Sequence, residues 1–256
     1  MSAPLLIGTS LKMYFGYQQT LDWCRQVADI AQRHPAVTQG HAALFIMPSF
    51  PTLAPVLEIV RDTDIRIGAQ NLSDQPPGAW TGEVSAAMLA EMGCRCVEIG
   101  HAERRRHFHE DEALIAAKTA LAMAQGLSPV LCVGEVDEGD PGLAASECIR
   151  QIDSVLADTP QPRGADLIVA YEPHWAIGAS QPASSEHIST VCLKLQAHLD
   201  AHGGGRVIYG GSAGPGLLSR LEGSVQGMFL GRFVHDARAF EQILDEVMTL
   251  QAASHQ

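Results

Sequence analysis

The sequence predicts an α/β protein whose parallel strands close into a single-domain (β/α)8 barrel. Short apolar runs rich in Val, Ile and Leu alternate with longer segments of helical period. Eight such units fit into 256 residues, the typical size of one barrel of this kind. Because the strand-like runs are apolar throughout, they are typical of a parallel sheet covered on both faces. Periodicity alone would also permit an open, doubly wound sheet.

Each element follows from the alternation of these two patterns along the chain. The strands are expected at Leu5–Thr9, Ala42–Met47, Ile65–Ala69, Cys94–Ile99, Ser128–Val133, Asp166–Ala170, Arg206–Tyr209 and Gly227–Leu230. The helices between them are expected near 20–33, 52–61, 84–92, 111–125, 142–157, 184–202, 214–221 and 236–250. No linker rich in Pro, Gly and Ser divides the chain, so residues 1–256 are expected to form one domain.

The amino-acid composition limits the kinds of molecule that the protein is expected to bind. The formal net charge is −12 and the pI is about 5.3, which argues against a broad nucleic-acid or anionic-membrane footprint. A small anionic substrate needs only a local positive site. The six cysteines form no C-x-x-C pair, and residues 1–8 resemble neither a signal peptide nor a membrane span. We therefore expect free thiols and a cytoplasmic protein.

Polar side chains follow most of the predicted strands. In a barrel these positions meet at one mouth, the carboxyl-terminal face, where active sites of such barrels lie. They are Lys12, Gln70, Asn71, His101, Glu103, Glu172, the stretch YGGSAG at 209–214 and the stretch GRF at 231–233.

Three of these residues have the chemistry of proton transfer. Glu172 ends a strand and precedes what resembles a hinged flap, so a closing lid would desolvate it and raise its pKa toward that of a general base. His101 can act as an acid or as a neutral donor, and Lys12 suits a phosphate or enolate oxygen. Taken singly, a surface glutamate, a histidine bonded to the backbone and a solvated lysine are equally ordinary interpretations.

Two further stretches have competing interpretations. The glycine-dense YGGSAG can turn backbone amides toward an anion, or it can be a tight turn without a ligand. HFHEDE at 107–112 contains possible metal ligands, but Glu110, Asp111 and Glu112 are better explained as acids in the first turn of a helix. The alternation in CRC at 94–96 indicates packing. We expect no metal site.

Together these features resemble the triosephosphate isomerase family over essentially the whole chain. AYEPHWAIG at 170–178 is the most specific stretch. Others in the family's order are LKM (11–13), AQN (69–71), WTGE (80–83), IGHAERR (99–105), CVGE (132–135), YGGS (209–212) and FLG (229–231). The resemblance implies a TIM barrel, a phosphorylated sugar as substrate, no cofactor and no metal.

The resemblance also implies residue roles. Glu172 would shuttle a proton between adjacent carbons, while His101 would polarise the enediolate oxygens and Lys12 would supply positive charge. Glu103 and Cys132 would be supporting residues. Pro173, His174 and Trp175 would form the first hinge of the flap, with Ile177 to Ser180 at its tip. The phosphate would be held by loop amides at Gly178, Ser212 and Gly231.

The chain departs from the family at the mouth of the barrel. The family normally has Asn at Ser10, Ser at Ala102 and Gly at Ser180 and Arg232; His174 replaces an apolar residue. Such changes resemble the erythrulose-phosphate isomerase branch, whose substrate has four carbons. We therefore expect an erythrulose-phosphate isomerase, with triosephosphate isomerase as the alternative. Retention of Glu172, His101 and Lys12 argues against a third interpretation, a non-catalytic phosphate-binding barrel.

Two expectations concern surfaces. By resemblance the protein is a homodimer in which residues 71–80 insert into a partner near Met13. Arg232 is expected to strengthen phosphate binding or to restrain the eighth loop. The alternative is that Arg232 points outward and pairs with a surface acid such as Asp236.

Overall fold

A computed structural model describes residues 3–157 and 167–253 and shows eight parallel strands closed into a barrel. Each strand pairs with its neighbours in sequence, and β1 pairs with β8 to close the sheet. The predicted fold class is therefore confirmed. The strands are β1 Leu5–Ser10, β2 Ala42–Met47, β3 Arg66–Ala69, β4 Cys96–Ile99, β5 Ser128–Val133, β6 Ile168–Tyr171, β7 Arg206–Tyr209 and β8 Gly227–Leu230.

Helices surround the barrel and cover its outer face. They are α1 Tyr17–Arg33, α2 Pro35–Thr38, α3 Leu53–Ile59, α4 Ala86–Met92, α5 Ala102–Phe108, α6 Glu112–Ala124, α7 Pro141–Leu156, α8 Ser185–Ala201, α9 Leu217–Arg220 and α10 Ala237–Ala253. Several begin at side-chain caps of the expected chemistry. Asp111 and Asp140 accept hydrogen bonds from the backbone amides of Leu114 and Leu143, and so satisfy donors that a helix start leaves free.

The barrel interior is a packed core separate from the layer between sheet and helices. The rings of Phe45 and Phe229 stack there with centroids 5.6 Å apart. Gly8 makes room for them, because a Cβ at Gly8 would meet the Phe45 ring within 2.2 Å. Since alternate residues of each strand face inward, the inward position nearest the carboxyl end of each strand is placed at the mouth.

The structure differs from the sequence expectations at a few places. Asp166, expected to begin the sixth strand, lies outside the described residues. The helix expected at 214–221 is only the short α9, and the short helix α5 was not predicted. Within HFHEDE, Glu110 is not in the first helical turn; it precedes α6, is buried, and forms ion pairs with Arg104 and Lys118.

The CRC stretch packs as predicted. Cys96 belongs to the barrel interior, whereas Cys94 packs in the layer between sheet and helices. Over 3–157 and 167–253 no group of three His, Cys, Asp or Glu side chains is arranged to hold a metal ion.

Candidate active site

A cavity of about 1440 Å³ opens at the carboxyl ends of the strands. Side chains and loops that follow β1, β4, β6, β7 and β8 line it, so residues far apart in sequence share one mouth. Among the predicted site residues, the lining includes Ser10, Lys12, His101, Glu103, Glu172, His174, Trp175, Ile177, Gly178, Ser180, Ser212, Gly231 and Arg232. Cys132 and Pro173 are buried behind this surface.

Lys12 sits in a constrained turn after β1. Its φ angle of 50° lies in the left-handed region, which is costly for a residue other than glycine. Its carbonyl oxygen accepts hydrogen bonds from Gln70 Nε2 at 3.0 Å and from Ser49 Oγ at 3.2 Å. These bonds from the loops after β2 and β3 hold the turn. Gln70 and Ser49 are positioning residues; the sequence placed Gln70 at the mouth without this role and did not select Ser49.

The Lys12 ammonium group points into the cavity and pairs with Glu103. The distance from Nζ to Glu103 Oε1 is 2.8 Å. Burial lowers the pKa of Lys12, but the carboxylates of Glu103, Glu172 and Glu98 outweigh burial and raise that pKa above its ordinary value. Lys12 is therefore a permanent cation at the mouth.

His101 is the N-cap residue of α5 and is held in one orientation. Its Nδ1 accepts a hydrogen bond from the Glu103 amide at 3.1 Å, so a neutral ring carries its proton on Nε2. Burial and the charge of Lys12 lower the pKa of His101 to about 4. At neutral pH His101 is an uncharged donor whose Nε2 faces the cavity.

Glu172 follows β6 with its side chain almost fully buried. Its backbone amide donates to the Val133 carbonyl at 2.8 Å, which fixes the start of the side chain. Oε2 lies 3.4 Å from His101 Nε2 and makes no hydrogen bond within the described part of the chain. Burial and the nearby Glu98 carboxyl raise the pKa of Glu172 well above its ordinary value. A desolvated, under-bonded carboxyl group of this kind is suited to accept a proton from a substrate.

Gly210 and Cys132 bound the space around this base. A Cβ on Gly210 would come within 2.8 Å of Glu172 Cγ, so a larger residue would displace the carboxylate. Cys132 packs in the barrel interior, and burial together with Glu172 raises the pKa of its thiol. The thiol therefore stays protonated beside the base.

The flap begins directly after Glu172. His174–Ala176 forms a 3-10 turn, and Gly178 adopts a φ of 74°. Trp175 Nε1 donates to Glu135 Oε1 at 2.9 Å, and Glu135 also accepts from the Tyr171 hydroxyl at 3.0 Å. At the other end, Ser212 Oγ donates to the Ala179 carbonyl at 3.0 Å. These bonds tie the flap to the loops after β5 and β7.

Glu135 was missed as an anchor of this flap by the sequence reasoning. It was visible only as the last letter of CVGE, and nothing local shows that its partners come from the segment near residue 172. His174 lies at the hinge with its side chain half-buried, and burial and the charge of Arg105 lower its pKa. The replacement of an apolar hinge residue by histidine is therefore accommodated as a neutral ring.

The sequence that builds this site is similar to those of known proteins. The sequence profile of the family described as triosephosphate isomerase matches residues 5–247, almost the whole chain. The chain belongs to the triosephosphate isomerase family. As a member of this family it is an isomerase.

Relatives within the family carry two names. The chain is 53% identical to the L-erythrulose-1-phosphate isomerase of Pectobacterium atrosepticum, across 98% of each chain. It is 35% identical to the L-erythrulose-1-phosphate isomerase of Rhizobium etli, across 94% of this chain and 91% of that one. It is 33% identical to the triosephosphate isomerase of Synechococcus sp. (strain JA-2-3B'a(2-13)), across 94% of this chain and 96% of that one.

The residues predicted to hold a phosphate border the same cavity. Gly178, Ser212 and Gly231 are all among its lining residues. Arg232 also lines the cavity and makes no ion pair within the described ranges, whereas Asp236 pairs with Arg238 at 2.9 Å. The structure thus shows Asp236 paired with Arg238 and Arg232 facing the cavity, and the role of Arg232 in phosphate binding stays a prediction.

Glu98 is a further carboxyl group at the mouth that the sequence reasoning did not select. It is only 4% exposed on β4, and its Oε1 lies 4.0 Å from His101 Nε2. Burial raises the pKa of Glu98 to about 7, although the Ser10 hydroxyl and Lys12 oppose that rise. No part of the expected proton shuttle needs this carboxyl group.

A pH-dependent stability difference is expected for Glu98→Gln. Because folding raises this pKa, the protonated carboxyl stabilises the folded state at low pH, and that contribution is lost as pH rises from about 4.5 to about 7. The amide cannot ionise, so the free energy of unfolding of the variant minus that of wild type should be larger at pH 8 than at pH 4 by roughly 3 kcal/mol. Urea unfolding of both proteins at the two pH values measures this; an unchanged difference would contradict it.

Proposed function

We propose that the protein interconverts L-erythrulose 1-phosphate and D-erythrulose 4-phosphate. The observation that carries this proposal is the 53% identity, across 98% of both chains, with an L-erythrulose-1-phosphate isomerase. Identity to the Synechococcus triosephosphate isomerase is 33%. The small Ser10 at the mouth, where the family normally has Asn, agrees with a larger substrate.

The reaction moves a carbonyl between adjacent carbons through an enediolate. Glu172 removes the proton from C3 of L-erythrulose 1-phosphate while the C2 carbonyl becomes an enediolate oxygen. Neutral His101 donates from Nε2 to the enediolate oxygens and exchanges protons between them, and Lys12 offsets the developing negative charge. Glu172 then returns a proton to C2, which leaves the carbonyl on C3. A buried carboxylate paired with a neutral histidine is the known arrangement of triosephosphate isomerase, so these roles are carried over from the family.

The flap has a chemical purpose in this proposal. An enediolate next to a phosphate ester eliminates phosphate when water reaches it, so the site must close during the reaction. The bonds from Trp175 to Glu135 and from Ser212 to Ala179 supply two anchors for that closed position. Gly178, Ser212 and Gly231 are proposed to hold the phosphate, with Arg232 adding charge-assisted hydrogen bonds.

Turnover of two substrates measured side by side tests the proposal. We expect a higher kcat/KM for L-erythrulose 1-phosphate than for glyceraldehyde 3-phosphate. Since pocket volume alone gives roughly 10- to 200-fold discrimination, some triose activity should remain. Ser10→Asn refills the space beside the reacting carbons and should shift the ratio toward the triose. The four-carbon assignment would be contradicted if wild type strongly preferred the triose and Ser10→Asn changed kcat/KM for neither substrate.

Triosephosphate isomerase activity is the second candidate. It is favoured by retention of Glu172, His101 and Lys12 in one cavity, which serves both reactions, and by the named Synechococcus relative. The same assay decides between the candidates, because the preferred substrate is read directly from the two values of kcat/KM.

A homodimer is part of the proposal. Met13 is 94% exposed and Trp80 is 52% exposed, and Pro76 and Pro77 are exposed on the same loop as Trp80. Apolar groups placed on two loops in this way are typical of a surface that a partner covers. Sedimentation should therefore give a dimer at micromolar concentration, and Trp80→Asp should weaken it.

Leu143→Asp is the matched control for the dimer experiment, because Leu143 is 72% exposed on α7 and belongs to neither loop. It should leave the sedimentation coefficient unchanged. A stable wild-type monomer, or equal weakening by both variants, would contradict the assignment of the interface.

The proposed location is the cytoplasm. All six cysteines are free and buried, which is typical of proteins from reducing compartments. Within residues 3–157 and 167–253, no helix is both long enough and apolar enough to cross a membrane.

A further inference from the structure

Glu98 occupies a position that ordinary packing does not explain. Along β4, Cys96 packs in the barrel interior, so Glu98, two residues later, faces the same side. It is the last inward residue of that strand and lines the cavity while remaining 4% exposed. Buried acids are rare without a cationic partner. Yet among the described residues no Lys or Arg nitrogen lies within 4.0 Å of this carboxyl group.

Ser10 places an unsatisfied buried hydroxyl beside Glu98. It is the last residue of β1, 4% exposed, and its Oγ makes no hydrogen bond within the part of the chain that the structure describes. It lies close enough to Glu98 to lower the pKa of that carboxyl group, without the alignment of a formed hydrogen bond. Buried polar groups normally have partners, so an unsatisfied hydroxyl beside a carboxyl group without a cationic partner, both facing one cavity, indicates a ligand that bonds to them.

Their depth in the barrel indicates which part of a ligand they meet. The reacting pair is His101 and Glu172, and Glu98 lies 4.0 Å from the same Nε2 that lies 3.4 Å from Glu172. The predicted phosphate contacts come from loops beyond the strands, whereas Ser10 and Glu98 are strand residues that face inward. A substrate held by its phosphate in the loops, with its reacting carbons at the pair, directs its remaining carbon toward the strands.

We infer that Glu98 and Ser10 form a subsite that binds the terminal hydroxymethyl group of a four-carbon sugar phosphate. This inference rests on the proposed function and deepens it. A primary hydroxyl both donates and accepts, and so can donate to the Glu98 carboxyl while accepting from the Ser10 hydroxyl. A triose phosphate has no such group, so it leaves the Ser10 hydroxyl without a partner and makes no bond to Glu98. Such bonds discriminate against an analogue that lacks the hydroxyl, in addition to the discrimination that comes from pocket volume.

Glu98 has one competing role. Its charge raises the pKa of Glu172, so it could tune the base without touching the substrate. Such tuning would act on the base whichever substrate is bound. The ratio of the two values of kcat/KM therefore separates the roles, because a hydroxymethyl subsite affects only the four-carbon substrate.

The kinetic test compares Glu98→Leu, Glu98→Gln and Ser10→Ala with wild type. In Glu98→Leu the ratio of kcat/KM for L-erythrulose 1-phosphate to that for glyceraldehyde 3-phosphate should fall by about 10- to 100-fold. Glu98→Gln keeps an acceptor oxygen and should recover most of the ratio, and Ser10→Ala should lower it by a smaller factor. An equal fall for both substrates, or no change in the ratio, would overturn the inference.

A binding test keeps the inference separate from the proposed reaction. Titration calorimetry with two unreactive probes, erythritol 4-phosphate and glycerol 3-phosphate, measures the preference for the extra hydroxymethyl group without turnover. Wild type should bind the four-carbon probe more tightly than the three-carbon probe. In Glu98→Leu the ratio of the two dissociation constants should fall by about tenfold or more. If wild type binds in this way but does not turn over erythrulose phosphate, the proposed function fails and the subsite stands. If wild type shows no preference between the probes, the subsite fails. Circular dichroism of each variant confirms that it is folded.

Discussion

Glu172→Asp is expected to lower kcat by about 100-fold or more while leaving substrate affinity nearly unchanged. The shorter side chain withdraws the carboxylate by about one methylene, and a misplacement of ~1 Å at a reacting group can cost ~100-fold. The loss appears in kcat because the base contributes to the transition state more than to binding. Steady-state kinetics give both parameters, and a competitive phosphate-ester inhibitor reports affinity independently.

Two variants make that result interpretable. Glu172→Gln keeps the length of the side chain but cannot accept the proton, so it should be slower than Glu172→Asp. Glu58→Asp repeats the same shortening on α3, at an exposed glutamate paired with Arg61, and should keep the wild-type rate. If both Glu172 variants retained wild-type kcat, Glu172 would not be the base.

The fold was predictable because eight strands repeat one pattern. A parallel strand covered on both faces is apolar along its whole length, so its position is readable even in runs as short as β3 and β8. The flap motif and the glycine-rich loop are also local in sequence. Closure of the barrel then follows from the number of strands, and it places the loops after all strands at one mouth.

What could not be predicted depends on contacts between distant segments. Glu135 anchors Trp175 through a hydrogen bond across 40 positions, and Gln70 holds the Lys12 turn from 58 positions away. α5 is seven residues long, has His109 with a φ of 56° as its C-cap residue, and has a histidine as its N-cap residue. None of these is a standard helix signal.

Glu98 could have been selected from the sequence, although it was not. A charged residue inside the short strand CVEI interrupts an otherwise apolar run, and a buried strand does not tolerate that without a reason. The direction in which it points follows only from strand register. Cys96 pairs in register with Ser128, and Glu98 pairs with Val130, which also faces the barrel interior.

Lys12→Met is expected to lower kcat/KM by roughly 100- to 1000-fold, the usual effect of losing one preorganised group that stabilises developing charge. The side chain is similar in length, so the change removes the cation with little change in volume. It also leaves Glu103, Glu98 and Glu172 without the positive charge that now lowers the pKa of each. Those carboxyl groups should therefore take up protons at higher pH than in wild type.

The pH profile distinguishes this loss from simple misfolding. Lys12 lowers the pKa of Glu172 and also that of His101, so its removal should raise both. The acidic limb of kcat/KM against pH should move to higher pH, because the base must be deprotonated to act. Lys12→Arg keeps the charge and should leave the limb close to its wild-type position, even if its longer side chain lowers the rate. A Lys12→Met enzyme within threefold of wild type, with an unmoved acidic limb, would show that the cation at the mouth stabilises neither phosphate nor enediolate.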